Sequence, residues 1–341
     1  MARERIGYID GLKGFAIFLV VVGHVLSGSQ YKLGVWNIVY SFHMHLFLFI
    51  TGYLYGFREV GDTRSFFCMV QRRFWTLLIP WVCANLFIRF CHGAFNFWQV
   101  DFWLGGVTHY WYLQVVFLLA VGFGVLQLIS AQLKRKWWRM SFEVGMVALV
   151  LLLLIKYEYV YYTMGNRCAW FKLFEYWQLR FRLPYFFAGM FVARHMSLDK
   201  LMDVRVYTVC LVAFVLALGG GMSEHVGLFG WLVPWIGIYV SIYCFKTGCM
   251  SGNSCVCGEG LQKLGAATLP IYIFHYLFIP KLPHLLNWFA AQEQQFGGLA
   301  VSLFEIVYAG VVSFVIVVLC ICLGRVFSGS CCINRFLFGG R

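Results

Sequence analysis

Long apolar runs alternate with short polar segments along the chain, and the length of the runs predicts helices that cross a membrane. Each run holds about 20 residues, which at about 1.5 Å per residue matches the thickness of the hydrocarbon core. The pattern predicts ten spans, at residues 12–28, 36–57, 66–88, 110–130, 140–156, 179–195, 204–222, 227–246, 265–287 and 299–324. No hydrophilic segment is long enough for a second domain, so we expect residues 1–341 to form one all-α membrane bundle.

The composition supports a polytopic membrane protein. The chain is 61% hydrophobic and 12% charged, with a mean hydropathy of +0.76, whereas soluble domains carry about 25% charged residues. The net charge of +13 would suggest nucleic-acid binding in a soluble protein, but here the placement of the charges matters more, and no nucleic-acid partner is expected. Cys249, Cys255 and Cys257 share one loop without a histidine, which is a weak zinc pattern, so no metal site is expected.

The distribution of basic residues predicts the orientation. With a cytoplasmic N-terminus, 18 of the 27 Lys and Arg residues lie on the inner side and Lys13 lies within the first helix. The outer side then holds eight: Lys32, Arg89, Lys156, Arg167, Lys172, Arg180, Arg182 and Lys281. This asymmetry follows the positive-inside rule and predicts that both termini are cytoplasmic. Five of the eight outer cations fall between Lys156 and Arg182, which singles out that region for binding.

The first apolar run contains two ionisable residues, Lys13 and His24. They are eleven residues apart, so they share a helix face and lie about 16 Å apart along the axis. One elongated ligand could contact both, with an anionic head at Lys13 and a reactive end at His24. The alternative is that Lys13 extends to the lipid headgroups and that His24 bonds a neighbouring helix.

The second run adds His43 and His45. In an antiparallel hairpin these residues lie at a depth similar to that of His24, but they point to different faces, so at most one is expected to meet it. A further imidazole, His275, lies near the middle of the ninth predicted span. Packing contacts are the alternative for each of them, and the roles of His45 and His275 stay open.

Several segments resemble the integral-membrane acyltransferase family 3, in family order and through most of the chain. They are YIDGLKGFAIFLVVVGH (Tyr8 to His24), SFHMHLFLFITGYL (Ser41 to Leu54), RRFWTLLIPW (Arg72 to Trp81), YWYL (Tyr110 to Leu113), RLPYFFAGM (Arg182 to Met190) and LPIYIFHY (Leu269 to Tyr276). Members of this family include O-acyltransferases of bacterial surface polysaccharides, lipopolysaccharide and peptidoglycan. Two positions depart from the family pattern: Lys13 stands where the family has Arg, and His45 stands where many relatives have Pro. The chain resembles the stand-alone form, without an added extracytoplasmic domain.

The resemblance implies an acyl-CoA co-substrate, a glycan or lipid-linked glycan acceptor and a bacterial inner membrane, with acetyl as the expected acyl group and no tightly bound cofactor. We expect His24 to act as general base, or less readily as a transient acyl carrier, with His43 as a second catalytic imidazole. Asp10 lies about 21 Å from His24 along the helix, too far to orient it.

Binding residues are expected on both sides of the membrane. The donor-binding candidates are Lys13, Arg72, Arg73 and Trp111, and the acceptor-binding candidates are Arg180 and Arg182. The alternative for Arg72 and Arg73 is positive-inside anchoring, and for Trp111 it is the interfacial aromatic belt. The competing function is a glycan transporter or flippase, which would use the same polar residues without consuming acyl-CoA.

Overall fold

Helices account for all the regular structure of the described chain in the computed structural model, which confirms the all-α expectation. The structure describes residues 7–27, 34–91, 110–164, 171, 174–219, 227–250, 256–280, 282–292 and 298–339. The α-helices are α1 (Gly7–Leu26), α2 (Gly34–Gly56), α3 (Thr63–Arg73), α4 (Ile79–Cys91), α5 (Trp111–Ser130), α6 (Lys136–Lys156), α7 (Glu158–Met164), α8 (Tyr176–His195), α9 (Leu198–Leu201), α10 (Val204–Gly219), α11 (Gly227–Met250), α12 (Val256–Ala266), α13 (Thr268–Phe278), α14 (Pro283–Ala291), α15 (Gly298–Ser328) and α16 (Cys331–Phe338). A π-helical segment, Phe74–Leu78, joins α3 to α4.

The helices form two compact units that interleave along the sequence. Unit one comprises Met1–Ile50 and Leu198–Val326, and unit two comprises Thr51–Ser197 and Phe327–Arg341. Both α2 and α15 contribute to the two units, because a unit boundary falls within each helix. The expectation of a single domain over residues 1–341 stays a prediction.

Six helices of the described chain are long and apolar enough to cross a membrane. They are Gly7–Leu26, Gly34–Gly56, Thr63–Cys91, Trp111–Ser130, Lys136–Thr163 and Ala300–Ser328. They coincide with the first five predicted spans and with the tenth. The ninth, 265–287, is interrupted, since α13 ends at Phe278 and α14 begins at Pro283. The membrane-helix class is therefore confirmed, and the count of ten spans stays a prediction.

In unit one, α1 packs on α12 with almost no space between the two backbones. A Cβ on Gly14 would lie 1.9 Å from the carbonyl oxygen of Leu261, and a Cβ on Gly265 would lie 1.9 Å from that of Asp10. Small residues that allow such close approach are typical of contacts between membrane helices. This contact fixes α1, and with it the position of His24 in the last turn of the helix.

In unit two, the third predicted span is a composite helix. Asp62 begins it with a capping box, in which its carboxylate accepts from the Ser65 amide and the Ser65 side chain accepts from the Asp62 amide. The hydrogen bonds from Ser65 hold the pKa of the Asp62 carboxyl below its usual value. The π-helical segment begins directly after Arg73, and one such turn is a frequent feature of functional sites.

Around this composite helix, unit two is held by close contacts and buried hydroxyls. The backbone of Gly52 meets that of Phe186, since a Cβ on Gly52 would lie 2.0 Å from the Phe186 carbonyl oxygen. The Tyr55 hydroxyl donates to the carbonyl of Ala120 at 2.8 Å. These contacts tie the end of α2 to α5 and α8 within unit two.

The last helix, α16, also belongs to unit two. Its C-cap is Gly339, whose φ of 63° is a left-handed conformation that suits glycine. A Cβ on Gly339 would lie 2.7 Å from Thr76 Cα, and the Arg335 guanidinium lies 5.0 Å from the ring centroid of Trp75. α16 is thus seated on the π-helical segment.

Candidate functional site

The histidine of the first apolar run has a hydroxyl partner. His24 lies in the last turn of α1 and is partly exposed. The hydroxyl oxygen of Tyr276, on α13, lies 2.9 Å from His24 Nε2 and 3.4 Å from Nδ1. His24 therefore has a neutral hydrogen-bonding group within reach of both of its ring nitrogens.

A second imidazole packs against this pair. His275 is fully buried, with its ring centroid 5.3 Å from that of His24 and 4.2 Å from that of Tyr276. Its Nδ1 lies 3.0 Å from the carbonyl oxygen of Ile271, one turn earlier in α13. A carbonyl only accepts, so Nδ1 carries a proton and the tautomer of neutral His275 is fixed.

Helix α2 contributes two further residues to the surroundings of His24, namely Tyr40 and His43. The ring of Tyr40 meets that of His24 edge to face, with centroids 6.4 Å apart, and lies 5.0 Å from that of His43. His43 is buried, and its Nδ1 donates to the carbonyl of Val39 at 2.6 Å. Trp36 stacks on Tyr40, with ring centroids 4.3 Å apart. His43 thus joins the group around His24 through Tyr40, whereas His275 packs directly against His24. We call the following five residues the imidazole cluster: His24, Tyr40, His43, His275 and Tyr276.

The remaining predicted residue of unit one is Lys13, and it forms an ion pair. Its Nζ lies 2.5 Å from Asp10 Oδ1, three residues earlier in α1, and both side chains are largely shielded from solvent. An anionic ligand at Lys13 would therefore compete with Asp10. His45 is buried as well, at 6% exposure.

In unit two, Arg72 and Arg73 are placed differently although they are adjacent. Arg72 is exposed, whereas the Arg73 guanidinium lies 5.8 Å from the ring centroid of Tyr55. Arg58 and Arg194 also act electrostatically on Tyr55. Three arginines thus lie within electrostatic range of this residue, and the sequence reasoning did not single out Arg58 or Arg194 as site residues.

The predicted donor residue Trp111 and the predicted acceptor residue Arg182 meet in unit two. The Arg182 guanidinium lies 5.4 Å from the Trp111 ring centroid, in cation–π contact. Arg180 forms an ion pair with Glu158 of α7 and lies 5.1 Å from the ring centroid of Phe181. Glu158 is a partner that the sequence reasoning did not identify.

A second polar cluster in unit two was not anticipated from the sequence. Glu143 is fully buried; its Oε2 accepts from His195 Nε2 at 2.9 Å, and its Oε1 accepts from the Ser130 hydroxyl at 3.0 Å. Arg194 lies 3.6 Å from Oε1. The sequence did carry a signal for this cluster, because the Glu143 carboxylate lies within an apolar helix and needs partners there. We call these four residues the glutamate cluster.

Among the described residues, no three His, Cys, Asp or Glu side chains are grouped so that they could hold a metal ion. The cysteine loop considered in the sequence includes Cys255, which lies outside the described residues.

Comparisons with known proteins place these residues in context. The family model described as an acyltransferase domain matches residues 6–325. The chain is 30% identical over 186 residues to the nodulation protein NolL of Sinorhizobium fredii (strain NBRC 101917 / NGR234), an alignment that covers 48% of this chain and 49% of that protein. The chain thus spans about half the length of this curated relative. No solved structure matches.

Proposed function

The chain belongs to the membrane acyltransferase family whose domain model matches residues 6–325, and from that premise we propose that it transfers an acyl group from acyl-CoA to a hydroxyl of a glycan or glycolipid. Acetyl is the proposed acyl group. The family membership supports the reaction class. The donor, the acceptor and the bacterial inner membrane as location rest on the resemblance described above.

The observation that carries the proposal is the setting of His24. An imidazole at the end of an apolar helix is costly without a role or a partner. His24 is partly exposed and lies beside a neutral hydroxyl, so it can both reach a substrate and accept a proton. This is the pattern expected of a general base.

The proposed reaction uses His24 twice. His24 takes the proton of the acceptor hydroxyl while the acceptor oxygen attacks the thioester carbonyl of acyl-CoA. The resulting tetrahedral oxyanion collapses, the C–S bond breaks, and the imidazolium returns the proton to the departing thiolate. The products are the acyl ester and free CoA.

For the donor we propose binding through the cations of the predicted inner side. The phosphates of CoA suit guanidinium groups, which bind them with two parallel hydrogen bonds. Arg73 is held beside Tyr55 within a group of cations, and Arg72 is exposed. Lys13, an ion-pair partner of Asp10 in unit one, and Trp111, which contacts Arg182 in unit two, each stay a donor-binding proposal that rests on the sequence.

For the acceptor we propose recognition of an anionic group by Arg182 and Arg180. The guanidinium of Arg182 is stacked on Trp111, which orients it. Because Glu158 already neutralises Arg180, an acidic acceptor would compete with this carboxylate. Both arginines stay acceptor-binding proposals. Separately, His43 is proposed to support His24 through Tyr40.

The test is an assay in lipid nanodiscs with acyl-labelled CoA and a membrane glycolipid extract. We expect label to move into glycolipid with the wild-type protein and not with His24→Ala. His284→Ala is the matched control, because this histidine is exposed on α14. Consumption of CoA ester without labelled glycolipid would reject the acceptor, whereas no consumption with any acyl-CoA by folded protein would reject acyl transfer in favour of transport.

The donor assignment is tested separately with Arg73→Ala. Loss of a charge-assisted contact to phosphate should raise the KM for acyl-CoA about 10-fold or more, with a smaller change in kcat. Arg64→Ala is the control, since Arg64 is an exposed arginine of the same helix. An unchanged KM in Arg73→Ala would remove this residue from the donor site.

A further inference from the structure

The contact between α1 and α13 carries a further inference. We propose that the hydroxyl of Tyr276 is the positioning partner of His24, holding the imidazole in the orientation from which it takes the acceptor proton. The use in catalysis rests on the proposed function, whereas the pairing itself does not. The two residues are 252 positions apart in the chain, and the hydroxyl lies 2.9 Å from Nε2.

The hydroxyl lies within reach of both ring nitrogens. Its oxygen is 2.9 Å from Nε2 and 3.4 Å from Nδ1, and it lies out of the ring plane, because an in-plane oxygen at these distances would clash with Cε1. A modest rotation of the imidazole brings one nitrogen or the other into line with the hydroxyl. The proposal assigns the other ring nitrogen to the proton of the acceptor hydroxyl.

A phenol matches both protonation states of the imidazole. A hydroxyl donates one hydrogen bond and also accepts, and the position of its hydrogen adapts to the partner. Tyr276 can therefore donate to an unprotonated nitrogen of neutral His24, and it can accept from an N–H group of the imidazolium. In the proposed reaction His24 passes between these two states, and the same partner stays in place throughout.

The phenol ring itself packs against His275. The two rings are adjacent in α13, with centroids 4.2 Å apart, and His275 is fully buried. The bond between His275 Nδ1 and the carbonyl of Ile271 orients the His275 ring. His275 thus supports the ring of Tyr276, and Tyr276 places its hydroxyl at His24.

The matched variants are Tyr276→Phe and Tyr272→Phe. Each removes one hydroxyl from α13 and keeps the ring. Tyr272 lies one turn earlier, with its ring centroid 6.1 Å from that of His275. We expect kcat to fall about 10- to 100-fold in Tyr276→Phe, the range for loss of a hydrogen bond to a charged group, with an unchanged KM for acyl-CoA. Tyr272→Phe should retain the wild-type kcat.

A spectroscopic readout separates positioning from a packing role. In protein labelled with ¹⁵N in the histidine rings and studied by NMR in lipid bilayers, the His24 signals are identified by their loss in His24→Gln. They should shift in Tyr276→Phe and stay in place in Tyr272→Phe. Unchanged His24 signals, or a kcat of Tyr276→Phe within about twofold of wild type, would overturn the proposal.

The pairing is also measurable without altering Tyr276, which covers the case that Tyr276→Phe does not fold. Wild-type protein labelled with ¹³C at tyrosine Cζ and with ¹⁵N in the histidine rings should show a dipolar coupling that is absent in His24→Gln. Absence of this coupling in wild-type protein would overturn the pairing. If wild-type protein transfers no acyl group, the proposed function fails, while the coupling and the ¹⁵N shifts still decide whether Tyr276 positions His24.

Discussion

Two histidines of this chain occupy apolar helices and have opposite surroundings. His24, in unit one, is partly exposed and lies beside a phenol hydroxyl and the edges of aromatic rings. His195, in unit two, donates to the fully buried carboxylate of Glu143, which also accepts from Ser130 and lies 3.6 Å from Arg194. The contacts described above for the imidazole cluster are with neutral groups, whereas those of the glutamate cluster centre on a carboxylate.

This difference separates a reactive site from a structural one. A buried carboxylate that is fully bonded is costly to disturb, because removal of one partner leaves a charge or a dipole without compensation. A phenol beside an imidazole tolerates the gain and loss of a proton, because it changes from donor to acceptor. We therefore assign chemistry to the imidazole cluster and stability to the glutamate cluster.

The largest predicted effect is the loss of kcat in His24→Ala, and it tests the contrast between the two clusters. His24→Ala should lower kcat by 10²- to 10⁴-fold, the usual contribution of a general base, equal to about 3 to 5 kcal/mol. His195→Ala should leave kcat near the wild-type value and lower the thermal midpoint of unfolding. The nanodisc assay, with a thermal unfolding curve for each variant, measures both. A loss of activity in His195→Ala at unchanged stability would reverse the assignment.

The next largest effect is on stability, at Glu143. Glu143→Ala leaves Arg194 and His195 without their buried carboxylate, and breaking such a pair costs about 3 to 5 kcal/mol in free energy of unfolding. Denaturant titration in mixed micelles measures this free energy. Glu59→Ala, which removes an exposed carboxylate of the same unit, is the control and should change it little. Equal stability of the two variants would show that the glutamate cluster is not structural.

Ser130→Ala should have a smaller effect of the same kind. It removes one hydrogen bond to the Glu143 carboxylate, which costs about 1.5 to 3 kcal/mol for a bond to a charged group. The same titration measures the loss, and kcat should stay unchanged. A lowered kcat at wild-type stability would mean that this hydroxyl serves the reaction.

Much of the fold was predictable from the sequence, because hydrophobic runs of about 20 residues determine membrane helices. His24 was also predictable as a candidate, since an imidazole stands out in an apolar run. Its partner Tyr276 was not, because a tyrosine in an aromatic-rich helix carries no local signal and the pairing depends on how α13 packs on α1. The contact between Glu143 and His195 was within reach, because the predicted spans 140–156 and 179–195 put both residues near the cytoplasmic side and a buried carboxylate requires a donor.

The smallest predicted effect is on the free energy of unfolding of Tyr276→Phe, and it compares one hydroxyl from each cluster. Tyr276→Phe and Ser130→Ala each delete one hydroxyl that bonds a titratable side chain. Phenylalanine keeps the ring that packs on His275, and the partly exposed His24 can replace the lost bond with water, so we expect a loss of about 1 kcal/mol or less. Glu143 is fully buried and has no such replacement. In the same titration Ser130→Ala should therefore be the less stable variant, although Tyr276→Phe should be the less active one. If the order of stability were inverted, the hydroxyl of Tyr276 would belong to the structural framework, and its role beside His24 would have to be sought in folding rather than in proton transfer.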